Sequence, residues 1–363
     1  MCAAHDRSID VRRLPGAKER YIVREQGYFP VLALLPDEDV VAVLRGGAGH
    51  VGITGRLDLV RSSDGGETWM PPETIVDRDR DDRNPALGVS KEGALVLGYH
   101  VQGCYDIEGK YMPEMGKADT AVTRSHDGGR TWEKPFPLSY APLNGRSPFG
   151  KILTLPDGTL LMPIYGRRTG RLPGEERTRS EGACCSYLLR SRDGGRTWGD
   201  ASLVAVDLNE GIFLMLPKGE ILAAIRSERR EEQALYICRS KDDGYSWTEP
   251  MRVTEPREHP GDLLLLSNGY VLLIYGHRHP PFGVQGMISR DGGHTWEAER
   301  KLVFNDDRSG TDCGYPSSVR LPKGRIITAY YSAGDHMDAY RGDGAYAMAV
   351  CYDEKELVRA VDA

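Results

Sequence analysis

The chain has 363 residues, 28% of them charged and 40% hydrophobic, with 43 Gly, 22 Pro and a formal net charge of −6. A chain of this length buries a sizeable core without disulfides or metals, and its hydrophobic share excludes wholesale disorder. No apolar run approaches the ~20 residues of a membrane-spanning helix, and the acidic balance argues against a nucleic-acid partner.

The first residues, MCAAHDRSIDVRRLPGAKER, lack the apolar stretch of an export signal. Seven cysteines, an odd number without metal-ligand spacing, argue against a disulfide framework. Both features predict a reducing, cytoplasmic compartment. Neither a metal site nor a cofactor is expected.

Along the chain, six turns are each followed by a short Val/Ile/Leu/Tyr-rich run. They read LPDEDVVAVLR, VSKEGALVLGYH, LPDGTLLMPIY, LPKGEILAAIR, LSNGYVLLIYG and LPKGRIITAYY. Their turn positions are Glu38, Gly93, Gly158, Gly219, Gly269 and Gly324, spaced 50 to 65 residues apart. Each run reads as a strand, and the apolar run before each turn makes it a hairpin.

A second repeat, Ser-x-Asp-x-Gly-x-Thr/Ser-Trp, interleaves with the first. It begins at Ser62, Ser125, Ser191, Ser240 and Ser289, and the five tryptophans of the protein close these five boxes. The box is a turn device. Its Asp accepts backbone N–H groups, Gly supplies positive φ and Trp wedges between strands. A feature present in five repeats cannot by itself be a unique catalytic site.

Four strands per unit, six times over, predict one all-β domain spanning residues 1–363, a six-bladed β-propeller with Asp-box turns. No useful amphipathic helix is predicted. The sixth unit lacks a box and ends in YAMAVCYDEKEL. The N-terminal segment is expected to complete that blade. Insertions at His100 to Asp119 and Gly166 to Glu181 are expected to overhang one face.

Equivalent positions of a propeller converge on its axis, so a unique site must use residues that differ between blades. Nine residues before each turn stand Phe29, Asn84, Phe149, Glu210, Pro260 and Tyr315; seven after stand Arg45, His100, Tyr165, Arg226, Gly276 and Tyr331. Glu210, Tyr315, Arg45 and Arg226 are the polar candidates at one channel mouth. His259 and Asp262 form either a polar pair there or a hairpin cap. Asp81 and Asp82 are read as holding Arg83.

With its boxes, the chain resembles the sialidase (neuraminidase) superfamily over nearly its whole length. Tyr315-Pro316-Ser317 is similar to the family's nucleophile motif, Asn209-Glu210 to the motif of the Glu that pairs with that Tyr, and Arg226 to the arginine that follows. The chemistry suits the pairing. A phenol with a pKa of ~10 needs a neighbouring base to become a nucleophile, and a neutral nucleophile is not repelled by an anionic sugar.

The departures are specific. Where the family has an Arg-Ile-Pro motif, this chain has Tyr28-Phe29-Pro30; Arg83 in Arg83-Asn84-Pro85 is the candidate substitute. Arg278 is the candidate third arginine, although Gln285 is an alternative for that position. His50 stands near the place of the family's acid/base Asp and can move protons near neutral pH. The expected site is therefore catalytic Tyr315, Glu210 and His50, with Arg45, Arg83, Arg226, Arg278, His277 and Asp312 binding substrate.

Three functions follow from this set. The first is a sialidase-like exo-glycosidase on an acidic-sugar glycan. The second is a lyase on a uronate-containing polysaccharide, with His50 or Tyr315 removing the proton beside the carboxylate. The third is a non-catalytic glycan-binding propeller. All three take a glycan or oligosaccharide as partner.

Overall fold

Each apolar hairpin grows into a sheet of four or five strands, and six sheets follow one another along the chain. A computed structural model describes residues 8–363, apart from 139, 141–142, 144, 168–182, 230, 309, 335–343 and the side chains of 307 and 308. Most of the Gly166 to Glu181 insertion therefore lies outside the described residues.

Blade 1 comprises Tyr28–Leu34, Val40–Gly46, Arg56–Ser62 and Glu73–Val76. Blade 2 comprises Asp81–Val89, Leu95–Gln102, Ala118–Ser125 and Phe136–Pro137. Blade 3 contains Leu160–Arg167, Cys184–Ser191 and Gly199–Val206 behind a broken inner strand. Blade 4 comprises Leu208–Met215, Ile221–Ser227, Leu235–Ser240 and Met251–Arg252. Blade 5 comprises Glu258–Leu265, Val271–His277, Phe282–Ser289 and Leu302–Arg308. Blade 6 comprises Cys313–Arg320, Arg325–Ser332 and Tyr346–Asp353, closed on its outer edge by the N-terminal strand Lys18–Arg24. Antiparallel pairing of Lys18 with Cys351 completes the ring as expected.

The second strands, such as Val40–Gly46, are almost wholly buried because both faces pack on neighbouring blades. This explains their continuous apolar runs. The boxes form the expected turns. In the box of Asp127, Oδ1 accepts the N–H groups of Arg130 and Thr131, and Oδ2 accepts the Thr131 hydroxyl at 2.5 Å. Trp132, Trp198 and Trp247 each donate an indole N–H to a box glycine carbonyl. Val40 pairs with Ser62 and Gly46 with Arg56, so the first box turn lies at the opposite strand end from Gly46.

One α-helix, Glu354–Asp362, was not expected. Asp353 caps it by accepting the N–H of Lys355, acidic residues occupy its first turn, and Leu357 and Val361 pack into the blade 5–6 core. The signal was present as an Asp followed three residues later by Glu, ahead of an apolar pair.

The feature that builds the site is a bulge in the inner strands. Register breaks between Tyr28 and Val31, Arg83 and Ala86, Leu208 and Gly211, Glu258 and Gly261, and Gly314 and Ser317. At three of these, a non-glycine residue has positive φ: Phe29 at 54°, Asn84 at 48° and Tyr315 at 49°. Such a conformation costs on the order of 1–3 kcal/mol, and a bulge re-aims its side chain. Proline follows each, so no ladder N–H is wasted there.

Candidate active site

Tyr315 projects from the blade 6 bulge and its ring is buried against Phe29, Phe149 and Tyr331, with centroids 4.8, 5.7 and 5.6 Å away. Its hydroxyl donates to Glu210 Oε1 at 2.9 Å. Arg226 donates to the other carboxylate oxygen at 2.8 Å. Burial and the Glu210 charge push the Tyr315 phenol upward, against the opposing pull of Arg226 and Arg278. In the resting site the phenol is therefore protonated and hydrogen-bonded to its base. Tyr165 adds a longer contact to Glu210 Oε1 at 3.5 Å, and the Asn84 side-chain amide orients Tyr165 by donating to its hydroxyl at 3.1 Å.

Phe29 packs among the aromatic and charged residues gathered here. Its ring lies 4.9 Å from His50, 4.8 Å from Tyr315 and 5.3 Å from Tyr331, with the Arg83 guanidinium 5.8 Å away over its face. Arg278 reaches in from blade 5, its guanidinium 5.7 Å above the Tyr315 ring, and it donates to the Cys313 carbonyl at 3.2 Å. Tyr315, Glu210, Arg226, Arg278, Arg83 and His50 are thus gathered around one aromatic floor.

His50 sits on the loop after the second strand of blade 1. Its Nδ1 is 3.0 Å from Asp312 Oδ1, and Asp312 also accepts the Tyr331 hydroxyl at 2.5 Å. Burial raises the Asp312 carboxyl, but the bonds and charges of His50, Tyr331 and Arg278 outweigh it and hold the group below its usual range. Asp312 orients His50 rather than Tyr315 or an arginine.

The structure places several sequence-predicted residues elsewhere. Arg45 does not face the mouth. It is 0% exposed, paired with the equally buried Asp81, and it donates to the carbonyls of Gly49 at 2.9 Å and Gly52 at 3.2 Å. It is a strut under the His50 loop. Asp81 serves Arg45 and the Tyr105 hydroxyl before Arg83, which is 3.8 Å away. Asp82 binds Arg78 instead of Arg83.

His277 pairs with Glu258 at 3.4 Å in a network with Lys301 and Tyr275. Among the described residues, none of its recorded contacts is with Tyr315, Glu210, Arg226 or Arg278. Neither His259 nor Asp262 caps a hairpin. Asp262 is fully buried on the axis, bound by Lys151 at 2.6 and 2.9 Å and by the Ser318 N–H. His259 is also fully buried, and burial with three nearby arginines keeps its ring neutral.

Sequence reasoning missed the supporting polar residues: Asn84, Ser147, Tyr165, Tyr331 and Lys151. Asn84, Tyr165 and Tyr331 fell in the aligned registers and carried that signal. A cleft of about 600 Å³ opens beside the floor over blades 2 and 3, lined by His50, Arg83, His100, Arg146, Tyr165 and Arg167 among others. Among the described residues, no group of three or more His, Cys, Asp or Glu side chains could hold a metal ion, and no helix is long and apolar enough to cross a membrane.

A family model for the BNR repeat-like domain matches residues 42–328. The chain belongs to this family. This BNR propeller is similar to a sialidase of Bacteroides fragilis (strain YCH46), 26% identical over 318 residues, covering 77% of this chain and 55% of that one. It is also similar to a sialidase of Micromonospora viridifaciens, 26% identical over 329 residues, covering 83% of this chain and 49% of that one. The chain spans about half the length of these relatives.

Among solved structures, a Dyadobacter fermentans DSM 18053 protein of unknown function superposes with a TM-score of 0.75 at 25% identity, covering 93% of this chain and 99% of that one. The Hadza microbial sialidase Hz136 superposes with a TM-score of 0.69 at 16% identity, covering 92% and 66%. The BNR repeats and the propeller fold read from the boxes are therefore shown, and the curated relatives that the chain resembles are sialidases.

Proposed function

We propose that this BNR propeller is a retaining exo-glycosidase of sialidase type, acting on a glycan that carries an acidic sugar. The observation that carries the reading is the 2.9 Å bond from the Tyr315 hydroxyl to Glu210. As the phenolic oxygen attacks the anomeric carbon, its proton passes to Glu210. Protonated His50 gives its proton to the glycosidic oxygen as that bond breaks. Water then attacks the tyrosyl-linked sugar and loses a proton to His50. The bond from sugar to Tyr315 breaks, and the proton on Glu210 returns to the phenolate. Asp312 at Nδ1 leaves Nε2 of His50 for the substrate oxygen.

The test is turnover of a chromogenic glycoside panel including sialosides, uronides and rhamnosides, with the product anomer followed by NMR. Tyr315→Phe is expected to lower kcat by about 10³-fold or more, and His50→Ala by roughly 10²–10⁴-fold. Net inversion, or unchanged turnover in Tyr315→Phe, refutes the covalent role.

A second reading is favoured by one observation. Tyr28 occupies the place of the motif arginine, with Phe29 beside it, and a His50–Asp312 pair stands near the place of the family's acid/base Asp. A uronate lyase would use that pair to remove a carbon-bound proton, with arginines stabilising the enolate-like intermediate. Growth of ultraviolet absorbance from an unsaturated product separates lysis from hydrolysis. Binding without turnover would leave the glycan-binding module.

A further inference from the structure

One set of buried polar groups takes no part in the chemistry proposed above. Asp262 of blade 5 is fully buried. It accepts the Ser318 N–H at 2.6 Å and the Lys151 ammonium at 2.6 and 2.9 Å. Lys151 of blade 3 also donates to the Ser318 carbonyl at 2.8 Å. Both backbone polar groups of one blade 6 residue are thus held by side chains from two other blades. Blade 1 adds a third hold, since the Ser317 hydroxyl accepts the Leu32 N–H at 3.0 Å. Ser317 and Ser318 stand directly after the bulge that carries Tyr315. Pairing leaves off at Gly314 with Tyr331 and resumes at Ser317 with Ala329.

The chain breaks a strand to put Lys151 there. The inner strand of blade 3 is interrupted, and Gly150 and Lys151 pair in parallel with Ala86 and Leu87 of blade 2. The turn requires glycine: Gly150 has a φ of 73°, and a Cβ at this position would collide with Ile212 Cδ1. An ion pair this deep is a weak source of stability, because desolvation offsets its attraction. Tyr315, by contrast, has a demand that the pair meets. Its φ of 49° is a conformation that persists only where the surrounding structure over-determines it. The holds on Ser317 and Ser318 fix the chain as it leaves that residue.

We propose that Lys151 and Asp262 are positioning residues for the nucleophile. They clamp the Ser318 backbone and so keep the Tyr315 hydroxyl seated against Glu210. Among the described residues, their recorded hydrogen bonds are with each other and with Ser318, not with Tyr315 or Glu210. The effect on turnover rests on the proposed function; the effect on the place of the tyrosine does not.

The test uses the full chain with paired substitutions, because removing one partner strands a buried charge. Lys151→Met/Asp262→Leu removes both holds on Ser318. Lys151→Met/Asp262→Asn keeps an acceptor for its N–H and serves where the first variant does not fold. With the leucine pair, kcat is expected to fall about 10- to 100-fold, and with the asparagine pair less, while KM stays within about twofold of wild type. A second readout needs no turnover. In protein labelled with 3-fluorotyrosine, the Tyr315 fluorine resonance is identified by its loss in Tyr315→Phe. It is expected to broaden or split in the paired variants, while their urea midpoints stay above that of Lys151→Met alone.

A Tyr315 resonance of wild-type width and position in a folded paired variant would overturn the proposal. So would a kcat within about twofold of wild type in the leucine pair. If wild type turns over no glycoside and the resonance still broadens, the clamp stands and the glycosidase reading falls. If Tyr315→Phe abolishes turnover while the paired variants match wild type in both readouts, the glycosidase reading stands and the clamp falls.

Discussion

Asp81→Ala probes whether Arg45 is a strut or a ligand-binding residue. Both side chains are 0% exposed, so the substitution strands a guanidinium in the core with only carbonyl partners. Breaking a buried ion pair from one side costs about 3–5 kcal/mol. The Tyr105 hydroxyl loses its acceptor as well, which adds about 1 kcal/mol. The expected loss is therefore about 4–6 kcal/mol. Arg45→Met costs less, because Asp81 keeps Tyr105 and has Arg83 beside it. The double variant should fall short of the summed single losses by about 2 kcal/mol, within the range of coupled neighbours. Urea unfolding followed by the fluorescence of the five box tryptophans reads these values. In a double variant that folds, kcat should fall through loss of the His50 loop supports at Gly49 and Gly52, while ligand affinity changes little. A cost below about 1 kcal/mol for Asp81→Ala, or a strictly additive cycle, would refute the reasoning.

Phe29→Ala should cost about 3–5 kcal/mol, because its ring is shared by His50, Tyr28, Tyr315 and Tyr331; a urea midpoint close to wild type would contradict this. His100 is depressed to about 4 in the fold, against roughly 6.5 when unfolded. The unfolded chain binds more protons between these values, so stability falls as pH drops from about 6.5 towards 4; His100→Gln should flatten that stretch of the unfolding curve. Below it, Asp242 takes over. Burial opposes its ionisation, but the Ser246 and Ser240 bonds outweigh burial and hold it at about 2. Its stabilisation is complete above about pH 4 and is lost as pH falls towards 2, a loss that Asp242→Asn should remove. Lys151→Met leaves Asp262 buried without its cation and should cost about 3 kcal/mol, while Lys151→Met/Asp262→Asn should recover much of it on the same urea assay.

The architecture was legible because repetition amplifies weak local signals. A single Asp-Gly turn says little, but five boxes in step with six hairpins define the blades. The same alignment exposed Glu210, Tyr315 and Arg226, since a carboxylate or phenol in an axial register stands out against its equivalents. Arg45 fell in an axial register too and was read as substrate-facing. Which way it points depends on Asp81, which lies in the next blade. His259 and Asp262 failed for a related reason. Their partners, or lack of them, depend on neighbours more than 50 residues away, such as Lys151 and Ser318. The helix Glu354–Asp362 was missed because its cap follows directly on a strand, so the change of period had only one turn in which to show.

The closure of blade 6 by Lys18–Arg24 also has a kinetic meaning. This strand is made well before its partner Tyr346–Asp353, which lies more than 300 residues later in the chain. At ~5–20 residues per second, the wait is roughly 20–60 seconds. During it the strand is an unpaired edge that another nascent copy can capture. The charges of its sequence, KERYIVR, place Lys18, Glu19, Arg20 and Arg24 along that waiting edge. Charges on a waiting edge disfavour its capture by another chain, so exchanging Glu19 and Arg24 for apolar residues is expected to lower soluble yield, measured by expression at fixed induction.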